Sequence, residues 1–431
     1  MLHKNLGINE KGHLTIGNAD VVSLAEKYGT PLMILDDGRI RRNIRLYKKA
    51  VEENFGKGSL PLFASKALCF KGIYRLAKEE GIGMDAVSVG ELFTAEQAGF
   101  DLSLAYFHGN NKTDEDIAFA VSHGVGTFVV DNEDELRALN EYLEKVGKKQ
   151  KILLRITPGI DPHTHKAIVT GSVDSKFGSA IETGQAEEIT RLALSLKNVE
   201  LQGFHCHIGS QIFEIEPFAE AASVMLSFIA YIKTQTGFEA KILNLGGGLG
   251  VKYVEGQEEL DYAAVIGEMA KAIKLRAAEI GVSLPLILLE PGRSLVADAG
   301  LTVYTVGSVK TIKGYKSYVS VDGGMPDNPR FALYEAPYTL LLANKAGEKG
   351  DFFCSVVGRC CESGDILQEN VCLPSPRRGD YLAVLCTGAY NYSMASNYNR
   401  IPRPAIVWVK DGADSIAVRR ETNEDMIRLE V

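Results

Sequence analysis

Two short segments of the chain carry groups fit for covalent chemistry and for anion binding. In Phe63-Ala64-Ser65-Lys66-Ala67 a lysine closes an apolar run. Such a strand end partly desolvates the amine, which lowers its pKa and frees the lone pair for Schiff-base chemistry. The same position also suits a lysine that snorkels outward. In Asn244-Leu245-Gly246-Gly247-Gly248-Leu249-Gly250 four glycines directly follow another apolar run. Open backbone N–H groups of this kind cradle a phosphate, although a tight turn asks for glycine too. No Gly-Lys-Ser/Thr follows, so this is not a Walker loop, and Val251 stands where a dinucleotide fingerprint needs its last glycine.

Five more segments add acids, bases and grips. His205-Cys206-His207-Ile208-Gly209-Ser210 places two imidazoles at alternate positions, on one face of a strand. A metal would need a third ligand, and none stands at a recognisable spacing. A ring stacked on a flat cofactor, with Ser210 donating to a phosphate, fits as well, and so does a satisfied core histidine. Glu290-Pro291-Gly292-Arg293 sets a carboxylate and a guanidinium at a strand end, costly to desolvate without partners. They could serve each other as an ion pair or serve a ligand. Cys360-Cys361-Glu362-Ser363-Gly364-Asp365 puts a thiol beside a carboxylate, which suits a nucleophile, a proton donor or plain filler. Asp322-Gly323-Gly324-Met325 leads to Arg330 and Tyr334, and arginine grips a carboxylate with two bonds where lysine cannot. Gly388-Ala389-Tyr390 ends a further strand-like run.

The elements that must hold these groups alternate. Apolar runs at Leu60–Ala64, Gly83–Val87, Leu104–His108, Gly126–Val130, Lys151–Ile156, Glu200–His207, Lys241–Leu245 and Leu286–Glu290 read as eight strands. Helical patterns lie between them, as at Glu115–His123, Asn132–Val146, Pro217–Thr236 and Ala263–Ile280. Another helix precedes the set, with Ile40, Ile44, Tyr47 and Val51 at helical spacing and Gly56 placed to end it. Eight strand–helix units over this length predict a parallel (β/α)8 barrel of the TIM type, with an open doubly wound sheet as the other arrangement. A barrel keeps its chemistry at the carboxyl ends of its strands, and the polar groups above stand there. After Arg293 short β-branched runs appear at Leu301–Ile312, Ser317–Val321, Phe352–Val357, Tyr381–Cys386 and Ala405–Lys410, which predict a second, mostly-β C-terminal domain. Leu14–Ile16 and Leu32–Leu35 read as strands that either join that domain or lead into the barrel. The expected division is 36–290 for the barrel, with 1–35 and 291–431 forming the β-rich domain.

Bulk properties narrow the classes. The 431 residues carry a net charge of −8, and no basic face argues for nucleic acid. No stretch nears the ~20 consecutive apolar residues of a membrane helix. Seven cysteines, an odd count without metal-site spacing, and a start without an apolar leader predict a cytoplasmic enzyme with no metal.

Taken in order from Phe63 to Arg403, these motifs resemble the fold-type III pyridoxal-phosphate decarboxylases, whose architecture is the alanine racemase-like barrel plus β domain. Within that group they are similar to the branch that converts meso-2,6-diaminopimelate to L-lysine and CO2, the last step of lysine synthesis. The resemblance implies pyridoxal 5'-phosphate as cofactor, held covalently by Lys66. It implies that Asp85 lies near the lysine and that His207 stacks on the cofactor ring. Ser210 with Gly246, Gly247 and Gly248 holds the phosphate, Glu290 pairs with the ring nitrogen, and Gly292 and Arg293 sit at the phosphate and substrate end. It further implies that Arg330, Tyr334 and Glu362 grip substrate and that Tyr390 touches both molecules. Cys361 comes from the partner of a homodimer to protonate the carbanion. Pro326, Pro329 and Phe331 depart from the usual form of their motif, and the doubled cysteine is resolved by Glu362-Ser363-Gly364-Asp365 following Cys361. The resemblance leaves three other activities open: a decarboxylase of ornithine, arginine or carboxynorspermidine, a racemase, and a non-catalytic regulatory homologue. Glu290 counts against the racemase, whose group places an arginine at the ring nitrogen.

Overall fold

The computed structural model describes residues 1–160 and 174–431. The chain forms two compact units. One comprises Ile44–Gly250 and Leu260–Gly292, the other Met1–Asn43, Val251–Glu259 and Arg293–Val431.

The first unit is a closed parallel barrel. Its strands are β1 (Leu60–Ala64), β2 (Gly83–Ala86), β3 (Ala105–Phe107), β4 (Thr127–Val130), β5 (Gln150–Thr157), β6 (Val199–His205), β7 (Ile242–Asn244) and β8 (Leu286–Leu289). Each pairs in parallel with the next, and β8 returns to β1, so the barrel has no edge. Every run expected to be a barrel strand is one. Parallel strands are covered on both faces and therefore read as continuous apolar runs, and in β4 all four residues are buried. The helices between them obey the complementary rule. In Lys71–Glu80 the residues Ile73, Tyr74, Leu76 and Ala77 are buried along one stripe, and Gly81 ends the helix at φ 66°. Each large apolar side chain so covered stabilises the unit by roughly 2 kcal/mol. The helix Asp114–Ser122 starts on a capping box between Thr113 and Asp116.

Two local features set the strand ends. In β6 the register against β5 slips between Leu201 and Gly203, and a Cβ at Gly203 would collide with the Ile242 carbonyl. Only glycine lets the two backbones approach there, and the slip is a bulge that turns the strand before its histidine. Beyond β3, the buried Lys112 ammonium donates to the carbonyls of Gly109 (3.0 Å) and Val129 (2.9 Å) and to Glu135 Oε1 (2.8 Å). Glu135 Oε2 in turn accepts the Asp131 N–H at 3.1 Å. One lysine therefore ties the ends of β3 and β4 together.

The second unit is mostly β. Its sheet runs Ile366–Leu373, Phe352–Val357, Lys316–Val321, Gly300–Ile312, Leu32–Asp36, Ala405–Lys410, Ala413–Val418, and Tyr381–Leu385 pairs with Gly300–Ile312 and with Leu340–Leu342. The Leu32 run thus joins this sheet, antiparallel to Gly300–Ile312 and parallel to Ala405–Lys410. Leu14–Ile16 belongs to a separate three-stranded sheet.

The lysine tie gives a stability prediction. Lys112→Met leaves the Glu135 carboxylate buried without its cation, and the expected cost is about 3–5 kcal/mol. A urea-unfolding midpoint equal to that of the wild type would show that the tie contributes nothing.

Candidate active site

In the barrel unit the chemistry gathers on Glu290, the residue after β8. Its Oε1 lies 2.9 Å from His108 Nε2 and accepts Asn244 Nδ2 at 2.7 Å. Its Oε2 meets His205 Nε2 at 3.2 Å. These partners come from the ends of β3, β7 and β6. Burial alone would raise the Glu290 pKa, but the two histidines outweigh it and hold the carboxyl well below the usual carboxylate range. The His108 and His205 rings pack edge to face, with centroids 4.8 Å apart.

Asp85, His207 and Gly246 of the barrel unit lie near this carboxylate. Asp85 is buried in β2, and burial pushes its carboxyl upward while His108 and Lys66 pull it down. Burial also drives the His207 pKa well below its ordinary value, with Lys66 and Arg155 adding to the effect. His207 Nδ1 accepts the Gly247 N–H at 3.3 Å. The glycine turn has no room for side chains. A Cβ at Gly246 would sit 2.7 Å from the Cys206 carbonyl, and one at Gly248 would sit 2.6 Å from the Gly209 carbonyl, two residues before Ser210's neighbour Gln211. A Cβ at Gly292 would press on Ala64 and Ala67, either side of Lys66, at 2.9 and 3.0 Å. Lys66 stands in the short turn Ser65–Ala67 directly after β1, close enough for its charge to act on the buried Asp85 and His207.

These residues fit pyridoxal phosphate. A primary amine, an ionised buried carboxylate and a bare glycine turn match an aldehyde, a pyridinium and a phosphate. Among the described residues, Asp85 Oδ1 and His205 Nδ1 are buried polar atoms without a hydrogen-bond partner, which a polar ligand would satisfy.

The second unit holds an arginine–tyrosine cluster of its own. Arg293 Nη1 donates to Tyr253 Oη at 2.8 Å, and its guanidinium lies 4.8 Å from the Tyr390 ring centre. Arg330 lies 5.5 Å from the Tyr334 ring and 5.6 Å from the Tyr390 ring. Tyr390, at φ 60°, therefore carries both cations. Among the described residues, Arg330 Nε and both amide atoms of Asn328 are buried without a hydrogen-bond partner. Cys361 and Glu362 are on an exposed loop of this unit, where the Cys361 N–H donates to Asn399 Oδ1 at 2.8 Å. The neighbouring Cys360 thiol is pushed up to about 12 by burial and by Asp365.

His108, Arg155, Asn244 and Tyr253 were not among the residues the sequence singled out. His108 closes the third apolar run and Asn244 opens the glycine segment, so the rule of polar groups at strand ends could have found them. Arg155 stands inside an apolar strand, an unusual place for a cation, and is drawn to Asp131, Glu290 and Asp85. Tyr253 has no local signal.

The buried histidine makes stability depend on pH. Burial lowers the His205 pKa from 6.5 to about 4 despite the pull of Glu290. The unfolded chain takes up this proton near its ordinary pKa and the folded chain does not. Stability is therefore full above that value and falls with pH toward about 4, by roughly 3 kcal/mol for this group. Urea midpoints measured at neutral pH and near pH 4.5 should diverge less in His205→Gln than in the wild type. An equal divergence would assign the acid sensitivity to other groups.

Comparison with known proteins shows the family. A family model described as the pyridoxal-binding domain of pyridoxal-dependent decarboxylases matches residues 37–297. The chain is 46% identical over 430 residues to diaminopimelate decarboxylase of Bacillus subtilis (strain 168), covering 100% of this chain and 98% of the relative. It is 47% identical over 429 residues to that of Halalkalibacterium halodurans, with the same coverage. A crystal structure of diaminopimelate decarboxylase from M. jannaschii in complex with L-lysine superposes with a TM-score of 0.91 at 34% identity, covering 100% of this chain and 98% of that one. A buried carboxylate, a strand-end lysine and a glycine turn on a closed barrel, together with likeness over the full length, show that the chain belongs to the diaminopimelate decarboxylase family of pyridoxal-dependent decarboxylases.

Proposed function

We propose that this chain decarboxylates meso-2,6-diaminopimelate to L-lysine with pyridoxal phosphate. The observation that carries the reading is Glu290, a buried carboxylate kept ionised by two imidazoles. An ionised carboxylate keeps a pyridine nitrogen protonated. When bound, the cofactor supplies the electron sink for the pair left behind as CO2 departs.

The residues divide the work as follows. Lys66 holds the cofactor covalently, with Asp85 beside it. Glu290 pairs with the ring nitrogen and His207 lies against the ring. The Gly246–Gly248 turn and Ser210 hold the phosphate, with Gly292 and Arg293 at that end. Arg330 binds the distal carboxylate of the substrate, and Tyr334 and Tyr390 fix the arginine's plane by ring contact. Glu362 suits the distal ammonium. A substrate ending in an amine alone, such as ornithine, leaves Arg330 without a counter-ion. Cys361 of the partner subunit delivers the proton to the carbon that lost CO2. Exposure of Cys361 and Glu362 in the single chain supports a homodimer whose protomers complete each other's sites. On this reading the unit Ile44–Gly250 with Leu260–Gly292 is the cofactor barrel and the other unit completes the site; the boundary expected at 36 moves because Leu32–Asp36 pairs into the β sheet. Seven unpaired cysteines suit the cytoplasm.

Two outcomes test the assignment. Arg330→Ala should raise KM for diaminopimelate roughly 10- to 100-fold, the loss of a charge-assisted bond, and an unchanged KM removes Arg330 from the substrate site. Lys66→Ala and Cys361→Ala should each be nearly inactive, the latter by about 10²–10⁴-fold. Mixed in equal amounts and allowed to exchange subunits, they should recover about a quarter of wild-type CO2 release, since half the dimers then hold one intact site. No recovery despite exchange would place the cysteine in its own protomer's site.

A further inference from the structure

The carboxylate for the ring nitrogen and the turn for the phosphate come from different strands, yet a closed ring of hydrogen bonds joins them. Asn244, the last residue of β7, is fully buried. Its Nδ2 donates to Glu290 Oε1 at 2.7 Å, and its Oδ1 accepts the Gly246 N–H at 2.9 Å. The Gly246 carbonyl closes the ring by accepting the Glu290 N–H at 2.7 Å.

Chemistry fixes the amide's orientation. The ionised carboxylate only accepts and the backbone N–H only donates, so the NH2 must face Glu290 and the carbonyl must face Gly246. Aspartate would keep the Gly246 bond but turn an acceptor toward Glu290, and an apolar residue would keep neither. Gly246 sits at φ 69°, and the next N–H, that of Gly247, is bound by His207. The turn is thus held on one side by a ring-stacking candidate and on the other by the amide.

We propose that Asn244 is a positioning residue that couples the two ends of the cofactor site, so that the grip on phosphate depends on Glu290. The proposal rests on the pyridoxal-phosphate reading above. A residue that only supports the fold would weaken every ligand alike, whereas a coupler makes two separate contributions interdependent.

The test is a thermodynamic cycle on the full chain freed of cofactor. Dissociation constants are measured by absorbance titration for pyridoxal phosphate and for pyridoxal, which lacks the phosphate. The proteins are wild type, Glu290→Gln, Asn244→Ala and the double variant. The ratio of the two constants reports what the phosphate contributes. Glu290→Gln should lower that ratio about threefold or more in the wild-type background, and should leave it unchanged when Asn244 is already alanine. Equal responses in the two backgrounds, or no response in either, overturn the coupling. If Asn244→Ala does not fold, Asn244→Leu, close in size and without donor or acceptor, takes its place, and the same loss of interdependence is expected. A wild-type chain that binds pyridoxal phosphate no better than pyridoxal, and without an absorbance change, overturns the cofactor reading itself, a different result from wild-type binding without coupling.

Discussion

A negative charge held in the interior of a barrel is the constraint around which this molecule is arranged. Taking a carboxylate out of water costs several kcal/mol unless donors replace the lost hydration. Glu290 receives two imidazoles and an amide, each from the end of a different strand. Those donors need places of their own, and the barrel supplies them only if strand lengths and registers are right. The Gly203 bulge aims one histidine, and the Lys112 tie fixes the strand ends between which the other emerges. Stability and chemistry are therefore not separate layers, because the same bonds that keep the charge tolerable also keep it ionised.

Much of this was legible from residue order. The barrel announced itself because strands buried on both faces become unbroken apolar runs, and short runs punctuated by helices admit few topologies. Leu60–Ala64 matches its strand residue for residue. The β unit was less transparent. Ile366–Leu373 was missed as a strand because Gln368, Glu369 and Asn370 interrupt its apolar pattern, and Asn370 has a positive φ. Ala413–Val418 is half exposed and carries too little burial to leave a period.

The site was readable where one motif holds one role and opaque where roles are shared. Lys66, the glycine turn and Glu290 stand in compact segments. His108 and Arg155 act through partners far away in sequence, and a lone polar residue in an apolar run is as often a satisfied core group. The Tyr253 hydroxyl beneath Arg293 is a purely tertiary fact.

The two units end their sheets in different ways. The barrel closes on itself, whereas the other sheet path stops at Ile366–Leu373 and at Ala413–Val418. Open strand edges invite pairing between molecules and are the usual route to amyloid-like aggregation. Here each terminal strand carries acid: Glu369 is paired with Lys316 at 2.5 Å and Asp414 with Lys27 at 2.6 Å. Charges on the terminal strands oppose such pairing between copies of the chain.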